Sequence, residues 1–496
     1  MDKSFDFLIL GAGLGGLECA FILSKKGYKV GVLEKNEHIG GTLQNFKLGE
    51  STFSAGMHYL GSLDEGQLLH RLFRFFNILD KLKLKRMNPE VFDRFIIQEQ
   101  QIDYPMGWEY FSSRMNAYFP AEKKAIKEYV SLMTKVSASQ AIYNLQAPDG
   151  YDIRQNPYHY RSIYQEIKSL TSNRNLQHAL TALNFVYAGD RETSSLYTHA
   201  LINNYYIQSA YRLLGGSQQI ATHLADNIKS QGGVIHTRKK VNSFIFQDHK
   251  LTGVETREGV RYTGKQIISN IHPAVTLEMV PEGKIRKSFR DRIASIPQTM
   301  SVFGLHLRLK PGRIPYVDHN VYYYANDDVW PVTTYKTDEW PSSFYLYTPA
   351  AEGQGAFADA MSIYTYMSFD EVSKWSSRQD RGEDYQEWKR SRAEKLIQLA
   401  SKYLPGLKDA IHDYITATPL TYRDYIGTPE GAMYGTLRDY KNPMASYIFT
   451  RTKIPNLYFT GQNINLHGML GVSISALLTC GEILGIDELM KEVTHA

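Results

Sequence analysis

Residues Phe7–Phe21 read FLILGAGLGGLECAF: an apolar run, four glycines within six positions, then a second apolar stretch. Phe7–Leu10 is short, apolar and closed by glycine, which predicts a buried parallel strand. Leu17–Lys26 carries apolar residues at Leu17, Ala20, Phe21 and Leu23, the spacing of a helix. Between them, Gly11-Ala12-Gly13-Leu14-Gly15-Gly16 matches G-x-G-x-x-G. In that pattern the first glycine permits a tight turn, the second lets a pyrophosphate approach the backbone, and the third lets helix and strand pack closely. The free N–H groups at the helix start then face the anion.

Gly27 stands where a left-handed helix cap is expected, and YKVGVLEK follows as a second strand. It closes on Glu34, eighteen residues after Gly16, where a ribose-binding acid belongs. A carboxylate there accepts from both ribose hydroxyls and repels a 2′-phosphate, so FAD or NAD is expected and NADP is not. Gly40-Gly41 comes six residues beyond Glu34, in EKNEHIGGTLQNF. This second close backbone approach resembles the extended N-terminal signature of FAD enzymes in the glutathione-reductase-like superfamily.

With 496 residues the chain is long enough for two domains, and 43% apolar with 22% charged residues is a soluble globular balance. The 56 basic and 51 acidic residues leave a net charge of +5, too small and too dispersed to argue for nucleic acid. Cys19 and Cys480 make neither a disulfide framework nor a metal site, which suits a reducing compartment. Met1–Leu10 contains Asp2 and Asp6 and merges into the first strand, so it does not read as a signal peptide. No apolar run approaches the ~18 residues of a membrane span. The expected setting is cytoplasmic, with peripheral contact at the inner face of a membrane left open.

The strand–helix style of residues 1–95 returns at 206–285 and 415–496, and two departures interrupt it. Residues 96–205 read as helix-rich. Residues 286–414 contain alternating segments such as SVFGLHLRLK, NVYYYAN and MSIYTYMS, which predict a half-buried antiparallel sheet, and then a charged helix near 380–403. In NLYFTGQNINLHGMLGVSISALLTCGEILG, Leu457–Thr460 predicts a buried strand and a helix begins near Gly471. That helix points its N-terminus back into the fold, where it suits the polar edge of a flavin. The sequence holds 35 tyrosines and 22 phenylalanines, many of the tyrosines between 104 and 211. Such side chains suit either the wall of a cavity for a long apolar ligand or an amphipathic surface.

FSAGMHYLG (Phe53–Gly61), ATPLTYRDYIGTPEGAMYG (Ala417–Gly435) and LYFTGQN (Leu457–Asn463) resemble blocks of the phytoene desaturase, carotenoid isomerase and retinol saturase (all-trans-retinol 13,14-reductase) group. The resemblance covers the three cofactor segments in order. It implies an α/β fold: a discontinuous glutathione-reductase-like FAD-binding Rossmann domain with an inserted α+β substrate domain on an antiparallel sheet. It also implies desaturation, saturation or isomerisation of long apolar polyenes. By position, Gly11, Gly13, Gly15 and Gly16 hold the pyrophosphate and Glu34, followed by Lys35, meets the adenosine ribose. Gly41 and Thr42 lie along the cofactor, and the backbone of Val241 reads the adenine. Gly461, Gln462 and Asn463 meet the ribityl side, with Leu470 and Gly471 near the flavin ring. Asn463 departs from the acid of the related branch, and an amide there still hydrogen-bonds a hydroxyl.

The catalytic candidates are His58 and Tyr59, as proton donors near the ring, and Arg423, for a substrate carboxylate or the flavin. Structural packing of the first two and a surface pair of Arg423 with Asp424 are the competing readings. EGQGAFADA lacks the strand and last glycine of a second nucleotide site. Electrons are therefore expected to pass to or from a diffusible NAD(P)H, quinone or oxygen. Flavin amine oxidases and non-catalytic prenyl-chain binders of the Rab GDP-dissociation-inhibitor type remain alternatives on the same fold. Finally, Leu68–Met87 carries apolar residues at 68, 72, 75, 76, 79 and 82 amid Arg71, Arg74, Lys81, Lys83, Lys85 and Arg86. That pattern predicts a long helix, either core with a basic edge or interfacial on anionic lipid.

Overall fold

In a computed structural model, residues 3–146, 155–248, 250–378 and 380–496 are described. Along the chain the main strands are β1 (Ser4–Leu10), β2 (Val30–Leu33), β3 (Asp93–Ile97), β4 (Gln100–Tyr104), β5 (Val234–His236), β6 (Val241–Gln247) and β7 (Lys250–Thr256). They continue with β8 (Arg261–Ser269), β9 (Ser301–Leu309), β10 (Asn320–Tyr324), β11 (Ser343–Tyr347), β12 (Ala360–Met367), β13 (Ile411–Ala417) and β14 (Leu457–Phe459). The helices that matter for the site are α1 (Leu14–Lys25), α2 (Leu68–Phe75), α3 (Leu196–Gln208), α4 (Gln218–Ser230), α5 (Gly382–Tyr403) and α6 (Gly468–Leu484).

The first sheet has the order β5-β2-β1-β8-β7-β6, and β14 also pairs with β8. β5, β2, β1, β8 and β14 run parallel, whereas β6 and β7 form an antiparallel hairpin at one edge. Leu8, Ile9 and Leu10 are fully buried, as strands covered on both faces require. α1 packs between α4 and α6. It begins at Leu14, earlier than the apolar spacing alone predicts, because the glycine turn already delivers the chain in helical geometry: Leu17 N–H donates to Gly13 O at 3.0 Å.

The second sheet has the order β13-β9-β12-β11-β10-β3-β4. All its pairs are antiparallel except β10 with β3. Its strands span residues 93–104 and 301–417, so β3 and β4 lie in a region the sequence presents as the end of one segment and the start of a helical one. Both are short and strongly turned, and the alternation is too brief to stand out.

The long helix expected over Leu68–Met87 does not form. α2 ends at Phe75, Asn77 takes a positive φ of +55°, and the chain continues as a 3-10 turn at Leu79–Lys81 and a strand at Leu84–Arg86. Leu72, Phe75, Phe76 and Leu82 are buried, and the two phenylalanine rings pack edge-on against Phe21 of α1. The apolar stripe is therefore core and unavailable to lipid. Its basic edge is engaged too: Lys81 donates to Asn227 Oδ1, Lys83 pairs with Glu352, and Arg86 pairs with Asp64. Among the described residues no helix is long and apolar enough to cross a membrane. Nor, among those residues, does any group of three or more His, Cys, Asp or Glu side chains stand ready for a metal ion. Cys19 in α1 and Cys480 in α6 are free and buried.

Candidate active site

The glycines of the first turn are there because nothing larger fits. A Cβ on Gly16 would stand 2.1 Å from Gly11 O, inside the strand–helix contact. Cβ atoms on Gly13, Gly15 and Gly461 would stand 2.9, 2.9 and 2.6 Å from the side chain of Asn270. Asn270 thus sits where the first glycine turn and the Gly461 loop converge. The sequence reading passed over it, although it ends the buried run IISN at the carboxyl edge of β8, beside β1. Ligands of parallel sheets bind at that edge.

Gly40-Gly41 closes the same cradle. Gly40 N–H donates to Ala12 O at 2.7 Å, and a Cβ on Gly41 would be 3.4 Å from Gly13 Cα. Glu34 is buried beside it, with Oε2 accepting from Ala12 N–H (2.9 Å) and Oε1 from Asn36 N–H (2.8 Å). The carboxylate is held by backbone donors, so its position is set by the turn. Lys239 N–H donates to Glu34 O at 2.7 Å, which starts β6, and with it Val241, alongside the acid. Lys35 turns away, its Nζ donating to Asp424 O at 3.0 Å, and burial lowers its pKa. An all-glycine cradle with a fixed carboxylate fits a dinucleotide pyrophosphate and ribose, the chemistry expected of FAD.

The other end of the cradle opens into a cavity of about 1320 Å³, mouth included. Thr42, Gln462, Leu470 and Gly471 line it, as do His58 and Tyr59. α6 begins at Gly468, and its whole first turn faces the cavity, bringing the positive end of the helix dipole there. Opposite stand Tyr205 and Tyr206 of α3, Tyr322 of β10, Tyr345 of β11 and Tyr364 of β12. Among the described residues no Asp, Glu, Lys or Arg lines this cavity.

His58 lies among tyrosine rings, with centroids 4.6 Å from Tyr347 and 4.8 Å from Tyr364, and Nδ1 is 3.0 Å from Tyr347 Oη. Burial, aided by His306, lowers its pKa to about 3, so the imidazole is neutral at pH 7. Tyr59 stacks on Tyr206 at 4.3 Å. Burial, with the nearby Asp93 second, holds the Tyr59 phenol protonated well above its ordinary range.

Two expected site residues stand elsewhere. Arg423 pairs with Asp424 and donates to Ser376 O at 2.9 Å, away from the cavity wall. Asn463 is not in the cavity wall either: its Oδ1 accepts from Thr436 N–H at 3.0 Å, which ties down the 435–438 segment. Gly461 lies at Asn270, on the pyrophosphate side of the cradle.

Over 98% of this chain and 86% of its partner, the sequence is 26% identical to all-trans-retinol 13,14-reductase of Homo sapiens. It is 22% identical to the chloroplastic prolycopene isomerase of Arabidopsis thaliana, over 96% of this chain and 82% of the isomerase. Among solved structures, cyclohexylamine oxidase from Brevibacterium oxydans superposes with a TM-score of 0.61 at 14% identity, covering 99% of each chain. Residues 14–484 match the family of flavin containing amine oxidoreductases. The chain belongs to the flavin-containing amine oxidoreductase family, and its cofactor is FAD.

Proposed function

We propose that this FAD oxidoreductase acts on carbon–carbon double bonds of a long apolar polyene, desaturating, saturating or isomerising it. The observation that supports the reading most is the uncharged, tyrosine-rich cavity facing the first turn of α6. A cationic amine finds no carboxylate there, whereas a conjugated chain finds aromatic faces along its length. The names borne by the full-length relatives point the same way.

Bound FAD supplies the two-electron chemistry, as hydride donor or acceptor at N5. The chain's part is orientation and exclusion of water. The first sheet, read as a glutathione-reductase-like Rossmann unit, holds the adenosine and pyrophosphate through Gly11–Gly16, Glu34 and Asn270. The second sheet, with the 96–205 and 286–414 segments as substrate domain, holds the polyene against the ring. His58 and Tyr59 stand where a proton is needed beside the transferred hydride. Electrons come from or go to a diffusible nicotinamide, quinone or oxygen. A non-catalytic prenyl binder has no use for the glycine cradle.

Anaerobic incubation of the flavin-loaded enzyme, once oxidised and once dithionite-reduced, with all-trans-retinol and separately with prolycopene, followed by mass spectrometry, tests the reading, with cyclohexylamine assayed in air. A product two mass units lighter, two heavier, or unchanged in mass with a new retention time supports it and names the direction. Peroxide release from cyclohexylamine with no change in either polyene overturns it.

A further inference from the structure

Behind the tyrosine wall lies Asp93, the first residue of β3, fully buried and absent from the cavity lining. Its Oδ2 accepts from Tyr59 Oη at 3.1 Å and its Oδ1 accepts from Asn320 Nδ2 at 2.7 Å. Tyr59 Oη is 3.0 Å from Tyr322 Oη. Tyr345 Oη and an Arg212 N–H both donate to Asn320 Oδ1 at 3.2 Å. Two cavity-wall hydroxyls, of Tyr59 and Tyr345, therefore bond this carboxyl group and the amide beside it, and a third, of Tyr322, joins them through Tyr59 Oη.

Hydrogen bonding alone leaves this acid partly unused. A carboxylate has about four acceptor sites, and this one has two donors. Burying its charge with the rest unfilled is costly. As a neutral acid it instead supplies an O–H of its own, which can donate to Tyr59 Oη and reverse the direction of that bond. The proton can then stand on either side of a 3.1 Å contact.

We propose that Asp93 is the proton reservoir of the cavity, exchanging a proton through Tyr59 Oη with a carbon of the bound polyene. The proposal rests on the polyene reading above. In the reductive direction the substrate's C=C π bond breaks. One carbon takes a hydride from reduced FAD and its neighbour takes the proton of Tyr59 Oη. Asp93 Oδ2–H restores the phenol, leaves as carboxylate and regains a proton from water. The substrate gains two electrons, and the flavin loses them. Desaturation runs the same steps backwards, with Asp93 receiving the proton.

The surroundings suit this exchange. Burial raises the Asp93 pKa to about 7, while Asn320, Tyr59 and the charge of Arg212 hold it from rising further. The other titratable groups facing it are the buried phenols of Tyr59, Tyr104, Tyr206, Tyr322, Tyr324 and Tyr345, all neutral near pH 7. Arg212 is the charged neighbour; its remaining bonds are to Tyr316 Oη, Val317 O and Thr348 O, and among the described residues it has no carboxylate partner. Both protonation states of Asp93 are therefore accessible at neutral pH.

Infrared difference spectroscopy of the holoenzyme, titrated from pH about 5 to about 9, tests the reservoir without turnover. A buried carboxylic C=O band that is present at low pH, fades with a midpoint near 7, vanishes in Asp93→Asn and shifts in Tyr59→Phe supports it. Glu18, buried and held protonated by desolvation, contributes a second band, which a Glu18→Gln background removes. If Asp93→Asn fails to fold, the band shift in Tyr59→Phe decides. Absence of any such band, or one that persists unchanged to the top of the range, overturns the proposal. In a second arm, dithionite-reduced enzyme is mixed anaerobically with all-trans-retinol and reoxidation is followed. Asp93→Asn is expected to slow it about 10²-fold and to remove the pH dependence near 7. If wild-type enzyme leaves retinol untouched, the substrate reading fails for that polyene, and the infrared titration alone judges Asp93.

Discussion

The two ends of the active site are built from opposite materials. At the pyrophosphate end, Gly16 closes on Gly11 and Gly41 on Gly13, backbone to backbone, the Asn270 side chain fills the gap between the two glycine loops, and Glu34 is held by backbone N–H groups. At the flavin and substrate end, side chains from α3 and four strands of the second sheet make up the wall together with the first turn of α6. A cradle of backbone tolerates almost no substitution but recognises a ligand that never changes. A wall of tyrosines tolerates substitution and can be retuned for different ligands.

That contrast breaks most sharply at Gly16. Adding one methyl there places Cβ 2.1 Å from Gly11 O, and Gly16→Ala is expected to cost about 3 kcal/mol or more and to yield colourless protein. Flavin absorbance after gel filtration, read beside the melting temperature, checks it. Next comes Glu34→Ala. Loss of hydrogen bonds from a charged, buried acceptor should weaken FAD by about 1.5–3 kcal/mol. Unchanged affinity removes Glu34 from the ribose site.

In the aromatic half the expected effects run through pH. His199 is fully buried between Tyr129 and Tyr187 hydroxyls, and burial lowers its pKa to about 3. The unfolded chain takes up a proton near pH 6.5 that the folded chain refuses, so stability is full above about 6.5 and falls as pH drops towards 3. At pH about 5 this histidine alone amounts to on the order of 2 kcal/mol. His58 and His306 act in the same direction. His199→Gln should flatten the acid side of a melting-temperature profile, and a slope that survives unchanged assigns acid lability to other groups. The smallest effect is expected at Tyr206→Leu. It removes the stack on Tyr59 at a cost of about 1 kcal/mol, felt in substrate KM while FAD retention stays at wild-type level. Flavin loss in that variant would erase the division between the two halves.

The same contrast explains what was legible in the sequence. The cradle was readable because its parts are local: four glycines in six positions, an acid at the end of the next strand, a glycine pair shortly after. The C-terminal strand and helix were readable as an apolar run and a glycine turn, though α6 starts at Gly468 rather than Gly471. Asn270 went unnoticed because its role depends on a neighbour strand 260 residues away by register, Leu10 pairing with Ser269. Tyrosine abundance was plain, but which rings face the cavity is decided by the pleat of the second sheet. Asp93 and Asn320 are brought together by the parallel pairing of β3 with β10, which no local pattern announces. The Leu68–Met87 stripe misled because periodic apolar residues serve a broken helix packed on Phe21 as well as a continuous one.

β8 is a single strand with three partners: β1 along its length on one side, and on the other β7 at its start and β14 at its end. Its last three residues stay open along that edge until Leu457–Phe459 has left the ribosome. The sheet beneath the cofactor therefore closes only after the chain has been made through Phe459, and long-range pairing of this kind is slow. Until then the nascent chain carries an exposed strand edge, the kind of surface that chaperones cover and that other chains join. A polypeptide released before Leu457 is expected to stay colourless and protease-sensitive, and one that retains flavin would show that the cofactor can be loaded onto an open sheet.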